Sequence, residues 1–249
     1  MTEKCAAIYR QIKEKFQAVL EKYNIDKNEV SIISCALSPE EAIGITERKD
    51  YPILTGKDVM LQASYQGSFG QAFTDAPASC SMTLNAILDM DILEDAHARG
   101  LFFATVNAVM RHLGLIEGTV HCKGEEPPQC ALRMLETLQN QWAGKKLALI
   151  GYQPSLFQAL SGSFDLRVLD LNPENVGQER FGHLVEHGLN AYDDAVLHWA
   201  DLVLCTSSTF CNATVDRYVD IGKPVIFFGI SGAGACHLLG LSRMCPLGR

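Results

Sequence analysis

The stretch Leu147-Ala-Leu-Ile-Gly-Tyr-Gln-Pro-Ser155 decides how this chain folds. Four apolar residues in a row, cut off by a glycine, suit a strand buried on both faces. Gly151 lets the backbone turn, and Pro154 stands where the first turn of a helix accepts proline. A strand-to-helix turn is predicted, with helix over 155–160. The alternation continues downstream. Residues 166–171 read as strand, 192–199 as helix, 202–205 as strand, 210–219 as helix and 224–228 as strand. Short apolar strands between helices indicate a parallel sheet covered on both faces. Upstream, Leu132, Leu135, Leu138 and Trp142 form a helical stripe.

Residues 117–130 are polar and include Gly124 and Pro127-Pro128, a pair expected to stop any helix, so they mark a domain boundary. Before them the pattern is different. Helical spacing runs over 5–23, an apolar β-rich segment over 30–37, and Ser38-Pro-Glu-Glu41 has the form of a capping box. Alternation over 59–65 suggests a half-buried strand, Gly67 to Gly70 a turn, and 81–92 and 98–113 two helices, the second ended by Gly114. The expected fold class is α/β: a small α+β domain over 1–118, then a parallel-sheet domain over 119–249.

Composition narrows the function. With 47% hydrophobic and 20% charged residues, the chain is too apolar for disorder. Its net charge of -8 repels phosphate backbones, so no nucleic-acid partner is expected. No window approaches the roughly 18 apolar residues of a membrane span, and the N-terminus lacks a signal-peptide core. No membrane partner is expected, and the cytoplasm is the expected location. The nine cysteines are odd in number and include no CxxC pair, so most read as small buried hydrophobes in a reducing compartment.

In an open parallel sheet, ligands bind beyond the C-terminal ends of the strands. Four such ends carry candidate residues. Gly151 opens a turn whose N–H groups attract anions, although the absence of GxGxxG speaks against an ordinary NAD site. Asp170, nineteen residues later and close to Asn172, stands where nucleotide-binding sheets place an acid for ribose hydroxyls. It equally suits a turn cap, or a base. Thr206, Ser207, Ser208 and Thr209 gather four hydroxyls at a strand end, with Asn212 and Thr214 beyond. One of them is needed as an N-cap, and four exceed that need. Gly229 begins a glycine-rich loop that permits close backbone approach, to a ligand or merely to a packed neighbour.

Metal signals are weaker. His183-Leu-Val-Glu-His187 has the H-x-x-E-H order of a zinc-protease helix, but Gly182 and Gly188 flank it and favour a strand. His121, Cys205 and Cys211 supply ligand atoms without the spacing of a structural zinc site.

Several segments resemble a family of unknown function associated with heavy-metal chelation. They are Pro39-Glu-Glu-Ala-Ile-Gly44, Asp50-Tyr-Pro52, Gly67-Ser-Phe-Gly-Gln-Ala-Phe-Thr-Asp75, Asn107-Ala108, Asp170-Leu-Asn172, Thr206 to Thr214, Gly229 to Leu239 and Cys245-Pro246. The resemblance implies an enolase-N-terminal-like domain, a Rossmann-like domain and a site between them. It implies condensation or hydrolysis of a pterin-, flavin- or siderophore-like molecule, linked to metal handling. The cofactor it suggests is a divalent heavy metal or a nucleotide-like ligand. It also gives Lys57, Gly70, Gln71 and Asn107 a role, as a lid or polar wall over the pocket. Two alternatives stand beside this enzyme reading: a non-catalytic carrier of a metal or metal chelate, and an S-adenosylmethionine-dependent methyltransferase. The partner is a small molecule, and a homo-oligomer is compatible with the sequence.

Overall fold

The computed structural model describes residues 1–28, 31–55, 59–76 and 79–249. Val30 and Lys57 lie outside the described residues. In chain order the elements are α1 (Glu3–Lys22), β1 (Ser31–Leu37), α2 (Pro39–Ile43), β2 (Val59–Tyr65), β3 (Ser68–Thr74), β4 (Cys80–Thr83), α3 (Leu84–Asp89) and α4 (Ala96–His112). There follow α5 (Glu126–Trp142), β5 (Lys146–Ile150), α6 (Pro154–Ser161), β6 (Asp165–Asp170), β7 (Glu179–Arg180) and β8 (His183–His187). A π-type helical segment (Tyr192–Trp199) leads to β9 (Leu202–Thr206), β10 (Val225–Phe228), α7 (Ala233–Leu239) and β11 (Arg243–Met244). The chain is a mixed α/β protein, as expected.

Two sheets carry the fold. The first is antiparallel, in the order β3-β2-β1-β4. The second runs β11-β10-β9-β5-β6-β8-β7, and only its β7–β8 edge is antiparallel. Counting its six parallel strands along the chain from β5, the spatial order is 3-2-1-4-5-6. That order reverses between β5 and β9, which opens a crevice outside their C-terminal ends.

Strand β5 shows why its sequence is continuously apolar. Leu147 and Leu149 face one core with Leu138, Phe157 and Val168 from α5, α6 and β6. Ala148 and Ile150 face the opposite core, with Phe16, Phe102, Phe103, Phe210 and Phe227. This second core unites α1 and α4 with the parallel sheet. Tyr9 Oη donates to the Phe210 carbonyl at 2.5 Å, fixing α1 on the C-terminal half. Helix α4 is buried at every position from Ala98 to Met110, between the antiparallel sheet and α7.

Five local expectations give way to the structure. Pro127 and Pro128 do not stop a helix; they occupy the first turn of α5, where the missing N–H groups cost nothing. The buried face of α5 also differs from the leucine stripe, because Leu132 is 59% exposed while Cys130, Ala131 and Met134 point inward. The turn expected at 67–70 is made by Gln66 and Gly67, both at positive φ, so Gly70 lies inside β3. Residues 80–83 pair with β1 before Thr83 caps the short α3. Finally, 210–219 is no continuous helix: two 3-10 turns, Ser207–Phe210 and Val215–Arg217, take its place.

Candidate functional site

The crevice between β5 and β9 is the inner end of a cavity of about 700 Å³. Its polar end is built from the β5, β6 and β9 termini. Gly151 takes φ +93°, and a Cβ there would lie 2.7 Å from Thr206 Cγ2, so the two loops meet closely only because position 151 has no side chain. Gly151→Ala combines a left-handed backbone strain with this clash and should cost about 1–3 kcal/mol. Denaturant midpoints would measure the loss, and adding Thr206→Ser, which removes the clashing methyl, should recover part of it.

Asp170 ends β6 beneath this turn. Its Oδ2 accepts from the Tyr152 N–H at 2.5 Å, and its Oδ1 from the Asn172 N–H at 2.6 Å. Asn175 Nδ2 is a longer partner at 3.5 Å. The carboxylate therefore ties the 151–153 turn to the 172–175 turn and still lines the cavity. Across the crevice, Thr206 Oγ1 accepts from the Ser208 N–H at 3.3 Å, and Thr209 Oγ1 donates to the Thr206 carbonyl at 2.8 Å. Asn212 Oδ1 accepts from the N–H and the hydroxyl of Thr214. All of Thr206 to Thr209, Asn212, Thr214, Asn172 and Gly229 line the same cavity.

The N-terminal half supplies another wall, but through different residues from those expected. Gly70, Gln71 and Asn107 are absent from the lining and form the joint beneath it. Asn107 Nδ2 lies 3.0 Å from the carbonyl oxygens of Gln71, Ile230 and Ser231, and its Oδ1 accepts from the Gly234 N–H. Gln71 Oε1 accepts from the His121 N–H at 2.8 Å. The lining comes instead from Phe73 and Thr74 at the end of β3, from Asp75 just past it, and from Tyr51, Pro52 and Ile53. Tyr51 Oη and Ser155 Oγ are 2.7 Å apart. Arg48, paired with Asp50, lays its guanidinium over the rings of Tyr51 and Phe181 and so straps this segment across α6 and β7. Burial raises the Tyr51 and Tyr152 hydroxyls above their usual pKa, so both remain hydrogen-bond donors at neutral pH.

A sulfur-rich wall closes the far side. Cys122, Cys130, Cys245, Met134 and Met244 all line the cavity, with His121 beside them. Desolvation holds the His121 ring below its ordinary pKa, and its Nδ1 sits 2.6 Å from the Cys122 carbonyl. The interaction between the Cys122 and Cys130 side chains raises the first thiol and lowers the second. No sequence spacing signals this group, because its members come from a loop, a helix and the chain end.

The earlier thiol candidates are placed differently. Cys205 is fully buried in the core, where burial pushes its thiol well up. Cys211 lines the cavity, but burial pushes its thiol up to about 12. Among the described residues, no group of three or more His, Cys, Asp and Glu is arranged to hold a metal ion. His183 and His187 lie on β8, where four residues span about 13 Å, too far for one zinc ion. Arg243 is a residue that sequence reasoning missed: it bonds the carbonyls of Gly229, Glu117 and Gly118 and fixes the glycine-rich loop to the linker.

Fold and cavity together define a two-sheet α/β protein with a small-molecule-sized crevice at the reversal point of its parallel sheet. Residues 133–238 match the model of the family DUF364, described as "Putative heavy-metal chelation", the family that the sequence motifs point to. Two solved structures of DUF364 proteins of unknown function are similar to this chain. The Pyrococcus horikoshii protein is 16% identical with a TM-score of 0.56, over 90% of this chain and 80% of its own. The Desulfitobacterium hafniense DCB-2 protein is 17% identical with a TM-score of 0.51, over 90% of this chain and 83% of its own. At these identities the likeness establishes the fold. No curated protein matches the chain. No helix among the described residues is long and apolar enough to cross a membrane.

Proposed function

We propose that this protein binds a small polar metabolite in the cavity and acts on it in connection with metal handling. In this reading the 119–249 domain is Rossmann-like, and the 1–118 domain, of the enolase-N-terminal-like type, provides the second wall. The observation that carries it is the convergence of Asp170, the Gly151 turn and the Thr206–Thr209 hydroxyls on one cavity. Asp170 accepts hydroxyl groups of the ligand. The 206–209 turn and the Gly229 backbone meet its anionic or carbonyl oxygens. Both Asp170 oxygens accept backbone N–H groups, which fixes the carboxylate in place to orient the ligand. Tyr51 and Tyr152 offer donors at the rim. A pterin-, flavin- or siderophore-like molecule fits this mixture of an apolar wall and a polar end, with condensation or hydrolysis as the chemistry.

The test is a thermal-shift and calorimetric series with flavin mononucleotide, a pterin monophosphate, nucleoside monophosphates and a catecholate siderophore. A ligand at a hundred times its Kd stabilises the native state by about 2.7 kcal/mol. Asp170→Asn should weaken the best ligand about 10- to 100-fold, the worth of a charge-assisted hydrogen bond. Unchanged affinity in that variant, or no shift with any member of the series, would overturn the reading.

A further inference from the structure

We propose that the cavity selects an organic cation: its ligand sets a protonated amine at Asp170, in a field that Asp75 reinforces, and an uncharged oxygen at Ser207. This names the ligand class of the site, and so it rests on the reading above, which leaves the ligand's charge open.

The charge of the lining is one-sided. Among the described residues that border the cavity, two are carboxylates, Asp75 and Asp170, and none is lysine or arginine. His121 adds no positive charge at neutral pH, because desolvation holds its ring below the ordinary pKa. The nearby cations are engaged elsewhere. Arg48 pairs with Asp50, and Arg243 bonds the carbonyls of Gly229, Glu117 and Gly118. Arg99, behind Cys211, bonds the carbonyls of Cys211, Ile92 and Leu93. Neither cavity aspartate forms an ion pair among the described residues, and the partners of Asp170 are neutral N–H groups. An anionic ligand group would enter this space without a counter-charge and face two like charges, whereas an ammonium is attracted by both. Tyr51, Phe73, Tyr152 and Phe228 border the same space, and an aromatic ring attracts a cation over its face.

A second observation concerns the other end of the ligand. The hydroxyls of Thr206, Ser208 and Thr209 are tied to one another or to the backbone. Ser207 is 1% exposed and borders the cavity, and its hydroxyl has no hydrogen-bond partner among the described residues. A buried hydroxyl left unpaired costs stability, and a ligand oxygen in the cavity supplies the acceptor. A Cβ at Gly229 would lie 3.4 Å from Ser207 Oγ, so the missing side chain leaves room beside that hydroxyl. Strand register sets the spacing. Ile150 pairs with Leu169 on β6 and with Cys205 on β9, so Asp170 and Thr206 end their strands at one level, with Gly151 between them. Two strand spacings separate them, about 10 Å. Strand β3 touches the 207–210 turn, which brings Asp75, just past its end, to the same part of the cavity.

Three probes that share a ring and a carbonyl separate charge from shape: tryptophanamide, a cation, N-acetyltryptophanamide, which is neutral, and N-acetyltryptophan, an anion. Calorimetry on the full chain at about pH 6.5, where the amine is protonated, should rank them in that order, with at least about a tenfold gap between cation and anion. A second measurement needs no variant: raising salt from about 0.05 M to about 0.5 M should narrow the gap. Asp170→Asn should weaken tryptophanamide at least about tenfold more than the neutral probe. Asp75→Asn should act in the same direction but less, because that carboxylate is exposed to solvent. Ser207→Ala should weaken all three probes alike, by about threefold or more, since all carry the carbonyl. Circular dichroism checks that each variant folds. An anion that binds as tightly as the cation, a cation that does not bind, or a cation preference intact in the Asp170→Asn/Asp75→Asn double variant would overturn this inference. The reading of the cavity as a metabolite site falls only with its own ligand series, so the two can fail separately.

Discussion

Gly70→Ala should lose about 3 kcal/mol of stability or more, one of the two largest single-residue effects expected in this protein. A Cβ at position 70 would stand 2.3 Å from both the Ala104 carbonyl oxygen and the Ala108 nitrogen, and 2.7 Å from Asn107 Cβ. Two of these three atoms belong to the α4 backbone, which has no rotamer to change. Relief therefore requires moving the whole strand or the whole helix. Neither moves freely: β3 is paired along its full length with β2, and α4 is buried from Ala98 to Met110. For a chain of this length, 3 kcal/mol corresponds to a fall in Tm of about 6–12 °C. The melting temperature measures it directly. Gly67→Ala is the control. Gly67 also has a positive φ, but nothing lies within 4 Å of its Cβ position, so its substitution carries backbone strain without collision. A Gly70 variant no worse than the Gly67 variant would show that β3 and α4 part without cost.

The contrast between those two glycines also shows what sequence can reveal. Gly67 sits next to an alternating strand, and its turn is legible from local grammar. Gly70 owes its identity to a helix more than thirty residues away, which no local pattern reports. The same division runs through the site. Ile150-Gly151, Asp170 and Thr206 were readable because they end apolar runs, and the ends of parallel strands are where ligands bind. Their meeting across one crevice follows from the strand order, which the alternation of helices and strands does not fix by itself. The 210–219 segment misled because its apolar spacing is helical, yet Ala213 takes a positive φ and breaks the run. Pro127-Pro128 misled for a simpler reason: proline both stops helices and starts them, and the flanking residues do not say which. The sulfur wall was illegible altogether. Cys122, Cys130 and Cys245 share no motif, and what unites them is that the last residues return beside the linker, where Thr119 and Val120 both donate to the Arg249 carbonyl.

Asn107 carries the other large effect, and a charge substitution isolates its cause. Its side chain serves the carbonyls of Gln71, Ile230 and Ser231 and accepts the Gly234 N–H, all of them buried. Asn107→Leu keeps the number of side-chain heavy atoms but leaves these groups without partners. At about 1–3 kcal/mol for each orphaned polar group, and less than full additivity, the loss should reach about 4 kcal/mol. Leucine also changes shape, so Asn107→Asp, which is isosteric, separates hydrogen bonding from packing. An ionised aspartate would aim negative oxygens at three carbonyls, whereas a protonated one still donates to one of them and accepts from Gly234. Burial and the facing carbonyls thus raise the folded-state pKa of this aspartate above its unfolded value. The native state then binds the extra proton, so stability is gained as pH falls through the raised pKa and lost as pH rises through it. Urea midpoints of Asn107→Asp should be higher at pH 5 than at pH 8, relative to the parent at each pH. A deficit independent of pH would mean that shape, not donor and acceptor pattern, holds β3 to the glycine-rich loop. The consequence reaches the site, because Gly229, Ile230 and Ser231 form part of the cavity wall. Ser231 Oγ accepts from the Phe73 N–H at 2.9 Å, so releasing this loop also releases the strand that carries Thr74 and Asp75. Any ligand that stabilises the parent should therefore stabilise Asn107→Asp less at pH 8 than at pH 5, even though residue 107 never touches it.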